Sequence, residues 1–123
     1  KKLDSLIADL KDPAEERELR FKINAEDFRA YGNNVIEKLC EYASDSPEMR
    51  IADDNREGVR IYFDEKEKKG WLLLRLSVHD PIMPLNIESD IPGGVKRIAE
   101  DFYEFIKNMK ELNIEPLEEF IKS

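Results

Sequence analysis

The sequence has little cysteine, and it lacks a long apolar run and a secretory signal pattern; each shortage excludes a class of protein. Cys40 is the only cysteine among the 123 residues, which excludes an internal disulfide and a cysteine-based metal cluster. The longest apolar run, residues 71–74, is far shorter than the roughly 20 residues of a membrane-spanning helix. We expect no membrane partner, and the single thiol and missing signal pattern favour the cytoplasm.

Positive charge is also scarce. Asp and Glu number 28 against 20 Lys and Arg, which gives a formal net charge of −8. Binding to nucleic acid needs a basic surface that neutralises phosphates, and the lysines and arginines form no such patch in the sequence, so we expect no nucleic-acid partner. A charged fraction of 39% can accompany disorder, but the six Phe, four Tyr and one Trp fall in periodic patterns that indicate a folded core.

The length fits one small domain, and the hydrophobic pattern predicts its helices. The chain begins with Lys rather than Met, so we expect a domain of a longer protein. Apolar spacings of three and four residues predict helices over residues 3–10, 25–43 and about 95–109, with a short helical segment from Pro116. Asn24 is the expected N-cap of the second helix.

Alternation of apolar and polar residues predicts four strands, over residues 19–23, 59–63, 71–77 and 83–88. The last is expected at an edge of the sheet, because Pro84 cannot donate a hydrogen bond to a neighbouring strand. Three consecutive strands with short connections favour an antiparallel meander, and two amphipathic helices would cover one face of it. The predicted fold class is therefore α+β, with a small antiparallel sheet of about four strands and two long helices on one face.

Arg75 is the residue that most needs an explanation, because it lies in the otherwise apolar strand 71–77. Alternation places it on the same face as Trp71, Leu73 and Ser77. A buried guanidinium without a partner is costly, so Arg75 is expected to meet either a carboxylate of the protein or an anionic ligand. The side chain alone does not separate these alternatives.

The residues after Arg75 favour an anion. The hydroxyl of Ser77 and the backbone N–H groups of the tight loop through Val78, His79, Asp80 and Pro81 are parts from which phosphate sites are built. Ser77 and His79 also have structural interpretations. The Ser77 hydroxyl can form a hydrogen bond with the backbone of the turn, and a solitary histidine in a loop is usually solvated. One histidine without clustered carboxylates predicts no metal site in this chain.

Two other features have structural explanations that we favour. The pair Gly93 and Gly94 before the last long helix is compatible with anion binding at a helix N-terminus, but a simple loop-to-helix junction is the interpretation we favour. Cys40 lies on a predicted helix between Leu39 and Glu41, a setting in which an inert thiol is expected.

The stretch GVRIYF at 58–63, the stretch GWLLLRLSVHDP at 70–81, the strand at 85–88 and the closing helix resemble the C-terminal domain of the α-D-phosphohexomutases, the phosphomannomutase/phosphoglucomutase family. The resemblance covers residues 17–110 and implies a TBP-like fold. It also implies that residues 1–14 are a linker helix from a preceding domain and that residues 15–123 form the phosphate-binding domain.

The family loop reads Arg-x-Ser-Asn/Gly-Thr-Glu-Pro, and this chain matches it at Arg75, Ser77 and Pro81, with Asp80 in place of Glu. Two positions depart from it. Val78 stands where Asn or Gly is usual, which removes a side-chain contact but keeps the backbone N–H. His79 stands where Thr is usual and offers an imidazole that can donate to phosphate. The resemblance thus implies a substrate phosphate site at Arg75, Ser77, Val78 and His79.

The family interconverts hexose 1-phosphate and hexose 6-phosphate through a bisphosphate intermediate. The resemblance implies that the reactive phosphoserine and the Mg²⁺ site lie in earlier domains, so this chain would hold no catalytic residue or cofactor and would be inactive alone. Its partners would be the hexose phosphate and the preceding domains. Two alternatives stay open, a stand-alone ligand-sensing module and a protein-interaction module in which Arg75 pairs with an internal carboxylate.

Overall fold

The structure, a computed structural model, describes residues 15–47, 49–52, 58–64, 68–77 and 79–122. The predicted helix at 3–10, and with it the predicted linker, lies outside these residues. The described strands are β1 (Glu15–Ile23), β2 (Met49–Ile51), β3 (Gly58–Phe63), β4 (Gly70–Arg75), β5 (Ile82–Ser89) and β6 (Leu112–Asn113). The described helices are α1 (Phe28–Ser44), α2 (Gly94–Ile106) and α3 (Glu115–Lys122).

The strands form one antiparallel sheet in the order β2-β3-β4-β5-β1-β6. The α+β fold class and the meander of β3, β4 and β5 are confirmed. The described sheet has six strands rather than about four, and the three described helices match the two predicted long helices and the short segment predicted from Pro116. The two additional strands, β2 and β6, have three and two residues, too few for alternation to reveal.

The prediction that β5 lies at an edge is wrong, because β5 pairs with β4 on one side and with β1 on the other. The hydrogen bonds show how Pro84 is tolerated. The Ser77 N–H donates to the Ile82 carbonyl at 3.0 Å, so the backbone groups of Ile82, and of Pro84 two residues later, point toward β4. The pairing of β4 with β5 ends at Leu74, and β4 itself ends at Arg75. The backbone N–H that Pro84 lacks would therefore lie where the hydrogen-bonded pairing of these two strands stops.

The helices cover one face of the sheet and leave the other open. Register aligns Leu19, Leu85 and Leu74 on neighbouring strands, and these side chains are buried with the apolar sides of α1 and α2 in one cluster. Side chains of the opposite face are half-buried or exposed along β1, β3, β4 and β5. We call this surface the open face, and no helix within the described residues packs on it.

The start of α1 differs from the prediction by one turn. Asp27, rather than Asn24, is the N-cap, and its carboxylate accepts a hydrogen bond from the Ala30 N–H at 3.1 Å. The Asn24 N–H instead donates to the Glu111 carbonyl at 2.7 Å, which ties the end of β1 to the segment before β6. The shift leaves the apolar face of α1 in the predicted register.

Candidate anion-binding site

Arg75 is the last residue of β4 and lies on the open face. Trp71 and Leu73 share this face, as alternation predicted, whereas Leu72 and Leu74 are buried beneath the helices. The expectation of a buried cation is wrong, because Arg75 is half-buried. Within the described ranges its guanidinium has no ion pair or side-chain hydrogen bond, so the interpretation as a structural ion pair gains no support there.

The loop between β4 and β5 is closed by its own hydrogen bonds. The Ser77 Oγ accepts from the Asp80 N–H at 3.3 Å, and the Ile82 N–H donates to the Asp80 carbonyl at 2.7 Å. The Ser77 hydroxyl therefore forms a hydrogen bond with the backbone of the turn, as its structural interpretation predicted. Because the hydroxyl accepts this bond, it retains its own proton to donate to a ligand.

The other predicted loop residues differ in what the structure says of them. His79 and Asp80 are exposed, so an imidazole and a carboxylate stand at the surface beside Ser77. Val78 lies outside the described residues. The structure thus brings Arg75, Ser77 and His79 to the same end of β4, and phosphate binding by Arg75, Ser77, Val78 and His79 stays a prediction.

Two further cations lie at this end of the sheet, and sequence reasoning missed them as site residues. In the register of β1 with β5, Arg20 is opposite Pro84 and Lys22 is opposite Ile82. Both side chains are exposed on the open face. They line a surface depression of about 440 Å³. The other lining residues are Asp80, Pro81 and Ile82.

Charge is segregated along the open face. At the end far from the loop, Glu16 of β1 is opposite Glu88 of β5. Burial and the neighbouring Glu16 charge raise the pKa of Glu88. The loop end carries Arg20, Lys22 and Arg75 as well as the exposed Asp80 carboxylate, and its excess of positive charge makes it more favourable to an anion than the far end.

The Gly93–Gly94 junction is occupied by the protein itself. Gly93 has a left-handed φ of 82°, which favours glycine, and a side chain at Gly94 would overlap the Ser89 hydroxyl. The Val95 N–H at the start of α2 donates to the Glu15 carboxylate at 3.2 Å. An internal carboxylate thus takes the place that a ligand anion would need, and the interpretation as a simple junction is the better one.

Cys40 is half-buried on α1, and burial together with the charges of Glu37 and Glu41 raises the pKa of its thiol. We expect the thiol to react with iodoacetamide at pH 7 more slowly than a free thiol in unfolded protein, because less of it is thiolate. The rate should rise as pH increases through the raised pKa. A pH series of alkylation followed by mass spectrometry measures this, and equal rates in folded and urea-unfolded chain would contradict it.

The described residues carry neither a candidate metal cluster nor a helix suited to a bilayer. Within the ranges described, no group of three or more His, Cys, Asp or Glu side chains is arranged to hold a metal ion. None of the described helices is both long enough and apolar enough to cross a bilayer.

Comparison with known proteins gives a match in structure. No family model and no curated protein matches the sequence. A solved structure of a phosphoglucomutase/phosphomannomutase family protein from Burkholderia thailandensis is similar to this chain with a TM-score of 0.58 and 21% identity. The match covers 86% of this chain and 20% of that chain, so this chain spans about a fifth of the length of that protein. At this identity the similarity shows a shared fold.

Proposed function

We propose that this chain is the C-terminal domain of an α-D-phosphohexomutase and that it holds the substrate phosphate that is not reacting. The observation that carries the proposal is the position of Arg75, Ser77 and His79 at the cationic end of an open sheet face. The fold shared with a phosphoglucomutase/phosphomannomutase family protein supports it. The proposal implies a cytoplasmic protein whose partners are a hexose phosphate and the preceding domains.

The chemical role of this domain is positioning. The Arg75 guanidinium can present two parallel N–H donors to one phosphate, and the Ser77 hydroxyl can donate a third hydrogen bond. Fixing the remote phosphate orients the reacting end of the sugar, so that binding energy lowers the barrier at an atom the domain never touches. Closure of the domain over the substrate would also exclude water from the reaction.

A site that recognises the phosphate group rather than the sugar suits the reaction of a mutase. The bisphosphate intermediate must turn over between the two half-reactions, so the same site accepts the 1-phosphate in one half and the 6-phosphate in the other. Guanidinium, hydroxyl and backbone donors recognise the phosphate group that both orientations share. The proposal assigns Mg²⁺ and the reactive phosphoserine to other domains.

The test is an NMR titration of the ¹⁵N-labelled chain with glucose 1-phosphate, glucose 6-phosphate and inorganic sulfate. We expect the amides of Ser77, His79 and Asp80 and the Arg75 side chain to shift, because they surround the proposed phosphate. Both sugar phosphates should give similar shifts, since the site contacts the group they share.

The Arg75→Ala variant is the control, and its shifts should be lost while the rest of its spectrum is unchanged. Shifts confined to another surface, or retained in Arg75→Ala, would overturn the assignment of this loop. Binding of a metabolite without phosphate at the open face would favour a ligand-sensing module instead.

A further inference from the structure

We propose that Arg20 and Lys22 of β1 bind the same phosphate monoester as Arg75, so that the anion is held between two strands rather than by the loop alone. This inference rests on the proposed function and adds two binding residues to it. It places the ligand over the depression lined by Arg20, Lys22, Asp80, Pro81 and Ile82, and the Arg75 side chain, which does not line the depression, would reach the phosphate from the other side of β5.

The register of the sheet brings the three cations together. Arg20 is opposite Pro84 in the pairing of β1 with β5. On the other side of β5, Leu74 pairs with Leu85, so Arg75 lies beside Pro84 as well. Neighbouring strands are about 4.8 Å apart, which separates the Arg20 and Arg75 Cα atoms by roughly 10 Å. Two guanidinium side chains on one face can reach a common phosphate across that distance.

The cations have weak partners within the protein. The guanidinium of Arg20 lies 3.3 Å from the Glu18 carboxylate, but the two side chains are 67% and 48% exposed, and such exposed pairs contribute little. Lys22 has no ion pair to any residue in the described ranges. A phosphate can therefore replace Glu18 as the partner of Arg20 at small cost.

The carboxylates nearby limit what the site accepts. Asp80 lines the depression with Arg20 and Lys22, and Glu18 precedes them on the same face of β1. Both would repel a second anionic group placed directly beside them, so the depression suits one phosphate, and the other phosphate of a bisphosphate would lie away from these two carboxylates. A neutral carrier with hydroxyl groups, such as a sugar, can donate to the exposed Asp80 carboxylate.

The experiment compares Arg20→Gln, Lys22→Gln, the double variant and the control Lys38→Gln by NMR titration with glucose 6-phosphate. Lys38 is exposed on α1, beyond the covered face of the sheet, and its loss changes the net charge by the same amount as each single variant. We expect affinity about fivefold lower for each single variant, at least tenfold lower for the double variant, and unchanged for Lys38→Gln. Amide spectra check that each variant is folded.

Two results would overturn the inference. Equal affinity in the double variant and in Lys38→Gln would show that β1 does not contact the phosphate; Arg75-dependent binding in the same titration would then leave the proposed function standing. No phosphate binding by the unaltered chain would also reject it, because all three cations belong to this chain. The proposed function would then be tested by steady-state kinetics of the Arg75→Ala variant of the longer protein.

Discussion

Replacing Arg75 with alanine is expected to lower kcat/KM for hexose phosphate by about 100-fold in the longer protein that the proposed function requires. Hydrogen bonds to charged groups contribute about 1.5–3 kcal/mol, and roughly 2.7 kcal/mol of lost transition-state stabilisation corresponds to a factor of 100. The loss should appear in kcat as well as in KM, because the phosphate orients the reacting end of the substrate. Steady-state kinetics with both hexose phosphates measures it.

Two variants separate this effect from loss of the fold. Arg75→Lys keeps the charge but not the two parallel donors, so we expect it to recover part of the lost rate. Lys38→Ala removes a remote positive charge and should be neutral. Arg75 is half-buried at the end of β4, so the midpoint of urea unfolding should change little in Arg75→Ala. Rates within twofold of the unaltered protein would reject the assignment.

The strands that the sequence predicted well are those with one buried face. In β1, alternation of Leu19, Phe21 and Ile23 with exposed residues reflects direct contact with the helices. The position of a strand in the sheet is a different matter, because it depends on which neighbours pair with it. Pro84 favoured a position at the edge, but β5 pairs with a strand on each side and is interior. Pro84 is tolerated there because β4 ends where the proline nitrogen faces it.

The residues of the candidate site also differ in whether the sequence alone could group them. Arg75, Ser77 and His79 are close in the chain, so a short motif and a family resemblance were enough to group them. Arg20 and Lys22 are more than fifty residues away from Arg75, and the pairing of β1 with β5 alone brings them beside it. The charge order along β1, with Glu16 and Glu18 before the two cations on one face, is the one sequence pattern that could have indicated a polar arrangement of this surface.

A premise about Arg75 was also wrong for a physical reason. An apolar run such as that of β4 is typical of a strand covered on both faces or lying beside a binding cleft, and the first of these interpretations implies a buried guanidinium. Trp71 and Leu73 are instead half-buried on the open face, where the Arg60 guanidinium stacks 4.7 Å from the Trp71 ring. A long side chain lying over an aromatic ring can shield it from water as a helix would, and sequence alone does not distinguish the two.

Replacing Phe102 with alanine is expected to lower the free energy of unfolding by about 3–5 kcal/mol. The Phe102 side chain is 1% exposed, and its ring centroid lies 6.4 Å from that of Phe21 and 6.0 Å from that of Phe105. Truncation removes both ring contacts and leaves a cavity between α2 and β1 that a close-packed core fills only in part. Urea unfolding followed by circular dichroism measures the change.

Glu104→Ala is the matched control on the same helix, because the exposed ion pair between Glu104 and Lys107 should contribute less than about 1 kcal/mol. A loss below about 1 kcal/mol in Phe102→Ala would contradict the packing described here. Phe102 lies under the covered face, whereas Arg75 and Arg20 lie on the open face. The folded fraction of Phe102→Ala should therefore bind phosphate normally, and the folded Arg75→Ala protein should not, so the two variants separate loss of stability from loss of the site.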